Sequence, residues 1–150
     1  MAVSSLALDA GIPTGTTRRR VRLAIAGGRR APERARELLA EASVWLPRAL
    51  HQPLLLLTCE LVSNSVRHGQ AGDGDVIGIE LWTTRRGVCV EVSDPGPGFA
   101  PAPRDQPLDE PGGWGLVLVE RMATRWGVLS EARTRVWFEL AFADAAPARV

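Results

Sequence analysis

Residues 54–69, LLLLTCELVSNSVRHG, constrain this chain more than any other stretch. An apolar run turns polar with a helical period. Glu60, Asn64 and His68 follow one another at steps of four, which stacks them on one face of a helix. Leu57, Leu61 and Ser65 trace the adjacent row, and Leu54, Leu55, Val62 and Val66 supply the rest of the apolar surface. Gly69 falls where a left-handed C-terminal cap is common. A carboxylate and a carboxamide one turn apart on such a helix have two readings. One is a solvated polar row, which the spacing alone favours; the other is a metal ligand and a base facing a bound molecule.

A length of 150 residues suits one domain with a core of its own. With 45% hydrophobic and 23% charged residues the composition is that of an ordinary globular chain. The net charge of +1 argues against nucleic-acid binding through bulk electrostatics. Every basic residue other than histidine is arginine, so no lysine can hold a phosphate or act as a nucleophile. Cys59 and Cys89 both sit in apolar stretches and read as small core residues without metal spacing. No signal peptide or membrane span is visible, and the expectation is a reduced, cytoplasmic chain.

Residues 1–17, with Gly11, Pro13 and Gly15, read as a flexible N-terminal arm, residues 18–143 as the domain, and residues 144–150 as a tail. The arginines from Arg18 to Arg22 lead into a strand, Val21 to Ala26, that alternates as a half-buried strand should. A helix is expected from Glu33 to about Trp45, with Pro32 in its first turn, and the main helix from about Leu50 to Pro53 onward. Two strands, Val76 to Thr83 and Gly87 to Ser93, make a hairpin. A further helix runs to about Trp126, closed by Gly127, before two final strands, Val128 to Ala132 and Thr134 to Phe142.

Two stretches bear on the polar row of the main helix. In VSDPGPGF, residues 92–99, Asp94 ends a strand and glycines follow that permit tight turns and close approach to a ligand. A carboxylate there can accept a hydrogen bond from an exocyclic amine such as adenine N6; an ordinary Asp-initiated turn fits equally well. In GGWGL, residues 112–116, glycines open a helix whose free N–H groups and dipole suit phosphate. Between the two, residues 100–112 lack periodicity, are rich in proline, and read as a short lid.

In order and spacing, ELVSNSVRHG, DPGPGF and GGWGL resemble the N, G1 and G2 boxes of the GHKL ATPases. The chain looks most like the anti-sigma-factor serine/threonine kinase branch and similar stand-alone ATP-binding regulators of actinobacteria. The resemblance spans about Val21 to Leu140. It implies a Bergerat fold: an α+β two-layer sandwich with helices on one face of a mixed, mostly antiparallel sheet. It implies ATP and Mg²⁺ as cofactors, with Asn64 as the metal ligand and Glu60 as the general base. Asp94 would meet the adenine amine, with Gly96, Gly98 and Phe99 along the base. Gly113, Gly115 and Leu116 would cradle phosphates, His68 would lie near them, and Thr134 would supply a hydroxyl. One departure stands out: the family often has Gly-x-Thr-Val before its last strand, where this chain has Arg133-Thr134-Arg135-Val136.

The resemblance implies a protein kinase acting on a small anti-sigma antagonist while binding a sigma factor, with a homodimer as the assembly such kinases tend to form. The alternative is a non-catalytic, ATP-gated binding module controlling a transcription or signalling partner. A detached histidine-kinase module working in trans fits the length and the short lid less well. No nucleic acid or membrane partner is expected.

Overall fold

The computed structural model describes residues 19–96 and 114–144. The arm over residues 1–17, the lid over 100–112 and the tail beyond Asp144 lie outside the described residues. The elements run β1 (Arg20–Ala26), α1 (Ala31–Ala42), α2 (Arg48–Arg67), β2 (Val76–Thr83), β3 (Gly87–Asp94), α3 (Trp114–Met122), β4 (Arg125–Ser130) and β5 (Thr134–Ala141). The strands form one sheet in the order β1-β2-β3-β5-β4. Every pairing is antiparallel, at the antiparallel end of the mixed sheet expected. The chain is therefore α+β, with an open antiparallel sheet and, among the described residues, three helices.

Alternation along the strands sorts the sheet into two faces. Ile77, Ile79 and Leu81, then Val88, Val90 and Val92, then Val136, Phe138 and Leu140, point to the face that carries the helices. They meet Ala35 and Leu39 of α1, Leu54, Leu57, Leu61 and Val62 of α2, and Val119 of α3 in one core. Leu54, Leu57 and Val62 are wholly buried. Truncating one such leucine to alanine costs about 2–5 kcal/mol, which makes α2 the central strut of the domain.

Four boundaries differ from the sequence reading. α1 runs from Ala31 to Ala42, with Pro32 in its first turn as expected, but Trp45 falls in the turn beyond it. α2 starts at Arg48 and carries Pro53 within its second turn, near enough to the end that one lost backbone bond is tolerated. α3 ends at Met122, and Trp126 and Gly127 belong to β4. Trp126 pairs with Phe138 on the core face, and Gly127 lies under the Trp137 ring, where a Cβ would stand 2.8 Å from the indole nitrogen. Finally, the left-handed residue after α2 is Gln70, with φ 54°, and not Gly69.

The β2–β3 hairpin turns on Thr84. Its hydroxyl accepts the N–H groups of Arg86 (3.1 Å) and Gly87 (3.3 Å) and donates to Glu139 (3.4 Å).

Candidate functional site

The C-terminal end of α2 meets the ends of β3 and β5 at Asp94. Asp94 shares the core-facing side of β3 with Val88, Val90 and Val92, and is 4% exposed. Its Oδ1 accepts the Gly96 N–H at 2.7 Å. Two glycines leave room for that carboxylate. A Cβ on Gly69 would stand 2.6 Å from Asp94 Oδ1, and one on Gly96 would stand 2.7 Å from it. This contact explains why Gly69 is glycine although it does not take the left-handed turn: it is there for space, not for backbone freedom.

The register pairs Asp94 with Thr134, so the two side chains end the sheet side by side. Thr134 Oγ1 donates to the Gly96 carbonyl at 3.0 Å, and Thr134 is 4% exposed. The turn after β3 is thus held by a carboxylate on one side and a hydroxyl on the other. Arg133, where the family pattern has glycine, does not take a left-handed conformation. Its guanidinium instead crosses the sheet to the carbonyls of Val76 (2.8 Å) and Ser93 (3.2 Å).

On α2, Glu60 and Asn64 are half-buried one turn apart. Asn64 helps close the helix, its carbonyl accepting the N–H groups of His68 (2.8 Å) and Gly69 (3.3 Å), while its carboxamide makes no hydrogen bond among the described residues. The helix proper ends at Arg67, and His68 is its exposed C-cap, in helical conformation with its N–H bonded to the Asn64 carbonyl one turn back. Glu60 stands apart from the other shielded glutamates. Glu80, Glu91 and Glu139 are each buried or half-buried and each pairs with an arginine. Among the described residues no ion pair or hydrogen bond reaches Glu60. Sequence spacing could not reveal this, because pairing depends on what the fold brings near. Next to it, Cys59 donates to the Pro32 carbonyl at 3.6 Å, and burial pushes its thiol pKa up.

Leu116 is half-buried and packs against the core from α3, which lies against α2 and β4. Gly115 lies within the first turn of α3. Gly98, Phe99 and Gly113 lie outside the described residues. The fold therefore brings Asp94, Gly96 and Thr134 together beside Gly69 at the end of α2, while Glu60 and Asn64 lie one turn apart on the C-terminal half of that helix.

Another concavity, about 550 Å³, lies between β1 and the start of α1 and is lined by Ala24, Gly27, Arg29, Arg30, Arg34 and Asp73 among others. None of the candidate residues lines it. Two of its arginines are already paired, Arg30 with Glu33 and Arg34 with Glu37. The candidate residues lie elsewhere, on the C-terminal half of α2, where the side chains of Glu60 and Asn64 meet no partner among the described residues, and at Asp94.

Asp94 in its two-glycine cradle is a shaped acceptor that suits the amine of a purine. The oxygen of Asn64 suits a hard cation. Among the described residues no group of three His, Cys, Asp or Glu side chains could hold a metal, so an ion here would take most of its ligands from phosphate and water, as Mg²⁺ usually does. No helix of the described residues is long and apolar enough to cross a membrane.

A family model for the histidine kinase-like ATPase domain matches residues 28–140. No curated protein matches the chain. Among solved structures, the RsbU and RsbW domains of Rv1364c from Mycobacterium tuberculosis align with a TM-score of 0.55 at 23% identity. The alignment covers 86% of this chain and 34% of that one, so the chain spans about a third of that protein's length. At this identity the likeness speaks to the fold alone.

Proposed function

We propose, starting from the fact that the chain belongs to the histidine kinase-like ATPase domain family, that it is a Mg²⁺-ATP-dependent regulator acting as a serine/threonine protein kinase of the anti-sigma-factor type. The observation that carries this reading is Glu60: half-buried, unpaired among the described residues, and one helical turn before an Asn64 whose carboxamide is also free. A pure binding module has no use for an unpaired, half-shielded carboxylate beside a metal ligand. Phosphoryl transfer does, because it needs a group to orient the attacking hydroxyl and take its proton.

Each residue has a role in this reading. Asp94, in the space left by Gly69 and Gly96, accepts the adenine amine, and Thr134 keeps the turn in position beside it. Asn64 would hold Mg²⁺, and the start of α3, with Gly113, Gly115 and Leu116, would receive the phosphates. His68, exposed at the end of α2, would lie near them. ATP supplies the phosphoryl group, and the cation offsets phosphate charge. Glu60 takes the proton of the incoming serine or threonine hydroxyl as that oxygen bonds to the γ-phosphorus and ADP departs. The partner is a sigma factor, its small antagonist protein, or both. The solved neighbour joins an RsbU to an RsbW domain, which fits a protein-regulating role.

The test is label transfer from ATP to antagonist proteins encoded beside the gene. With matched nucleotide occupancy, Glu60→Ala should lower transfer by about 10²–10⁴-fold while leaving ATP affinity nearly unchanged. Transfer that persists undiminished removes Glu60 from the base role. ATP binding and partner capture without transfer in the wild type would favour the binding module.

A further inference from the structure

Arg133 and Thr134 are consecutive residues where the β4–β5 turn enters β5, and each grips one flank of Asp94. The Arg133 guanidinium donates to the carbonyl of Ser93, the residue before Asp94, at 3.2 Å. The Thr134 hydroxyl donates to the carbonyl of Gly96, two residues after it, at 3.0 Å. The second bond of Arg133 has its cause in the strand register. β2 and β3 pair as far as Gly78 and Ser93, and two residues further the register would set Val76 opposite Pro95. The Thr84 N–H bonds to the Gly87 carbonyl across the hairpin, and the Gly27 N–H bonds to the Asp75 carbonyl. Even-numbered residues of β2 therefore turn their backbone groups toward β3, and odd-numbered ones toward β1. So the Val76 carbonyl faces Pro95, and proline has no N–H to give it. Arg133 Nη2 takes that place, donating to the Val76 carbonyl at 2.8 Å.

We infer that Arg133 is a positioning residue for purine recognition: by standing in for the N–H that Pro95 lacks and by holding the Ser93 carbonyl, it fixes where the Asp94 carboxylate meets the adenine amine. This rests on the assignment of Asp94 to that amine. The guanidinium acts as a substitute rung that ties β2, β3 and the β4–β5 turn at one point. Its neighbours on the same two strands, Arg125 and Arg135, pair with the carboxylates of Glu139 and Glu91. Arg133 instead spends its donors on backbone carbonyls at the Asp94 end. The carboxylate depends on that backbone for its aim. It is 4% exposed, and its one bond among the described residues is to the Gly96 N–H, inside the turn that Arg133 and Thr134 bracket. A hydrogen bond weakens steeply when its angle or length drifts, so freeing the Ser93 flank should blunt recognition of the amine. Glycine, frequent at this position in the family, offers no side-chain donor for either carbonyl.

The test compares binding of ATP and of purine riboside triphosphate, which lacks only the exocyclic amine, by calorimetry on the full-length chain. The wild type should favour ATP. Arg133→Ala should lower ATP affinity by about three- to tenfold, part of the roughly ten- to hundredfold that an amine–carboxylate bond carries, and leave the amine-free nucleotide nearly unchanged. Arg133→Lys, which keeps a donor able to reach one carbonyl, should retain most of the preference. A purely architectural arginine would weaken both nucleotides alike or neither, and either result in Arg133→Ala overturns the inference while leaving Asp94 on the amine. A wild type that binds the two nucleotides equally takes Asp94 off the amine, and the inference falls with it. Should Arg133→Ala fail to fold, Arg133→Met, which keeps an unbranched apolar stem without the donors, is read with the same two nucleotides.

Discussion

Of the three buried carboxylates on β3 and β5, Glu91, Asp94 and Glu139, the last two lie toward opposite ends of the sheet and are held in opposite ways. Glu139, 1% exposed, is closed off: Arg125 donates to it at 2.7 Å and the Thr84 hydroxyl at 3.4 Å. Asp94, 4% exposed, accepts one backbone N–H and meets no cation among the described residues. Burying a carboxylate is costly unless its charge and lone pairs find partners. Glu139 is settled by the protein itself. Asp94 keeps acceptor capacity that none of the described residues uses, in a slot that two glycines keep open. The difference separates a group that serves the fold from one that the proposed function assigns to the nucleotide.

The comparison can be broken by removing each carboxylate in turn. The largest stability loss is expected for Glu139→Ala, about 3 kcal/mol, near the low end for breaking a buried pair because the Arg125 side chain stays 23% exposed. Thermal melting and denaturant titration would read it, with nucleotide affinity of the folded fraction unchanged. Asp94→Ala should do the reverse. ATP affinity should fall by about ten- to a hundredfold, corresponding to 1–3 kcal/mol for an unpaired adenine amine, with a small change in melting. Equal affinity by calorimetry would take Asp94 out of the adenine contact.

Gly69→Ala sharpens the contrast, because it crowds Asp94 without deleting it. The new Cβ would force the carboxylate to shift by a few tenths of an ångström or more. We expect a loss of ATP affinity smaller than that of Asp94→Ala, again read by calorimetry. The same change at an exposed loop glycine such as Gly74, where a Cβ would meet nothing, should leave affinity unchanged.

Much of this was legible in the sequence because periodicity carries it. The helical row on α2 and the alternation of β2 and β3 follow from spacing alone, and the three boxes mark where the ends of elements meet. What was not legible depends on contacts between distant residues. Gly69 reads locally as a helix cap, and only the fold shows that it makes space for Asp94, with Gln70 taking the turn. Trp126 and Gly127 read as a helix end because apolar periodicity continues past Met122; cross-strand pairing with Phe138 and Trp137 decides for a strand. Glu60 and Glu80 look alike in sequence, yet Arg20 and Arg22 meet one and nothing described meets the other. The row of Trp82, Cys89 and Glu139 could not be seen before the register of β2, β3 and β5 was known.

That register has one more consequence. The β3–β5 ladder sets Gly87 opposite Ala141 at one end and Asp94 opposite Thr134 at the other. A side chain on Gly87 would collide with the Leu140 carbonyl, so that end admits few alternatives. A slip of two residues would keep every side chain on its proper face and leave the apolar pattern satisfied. It would, however, part Thr134 from the turn after Asp94. The apolar code thus tolerates an error that the polar end does not. On the proposed reading of Asp94, nucleotide capture there would act as a proofreading check on strand pairing, and a misregistered molecule would give itself away by failing to bind.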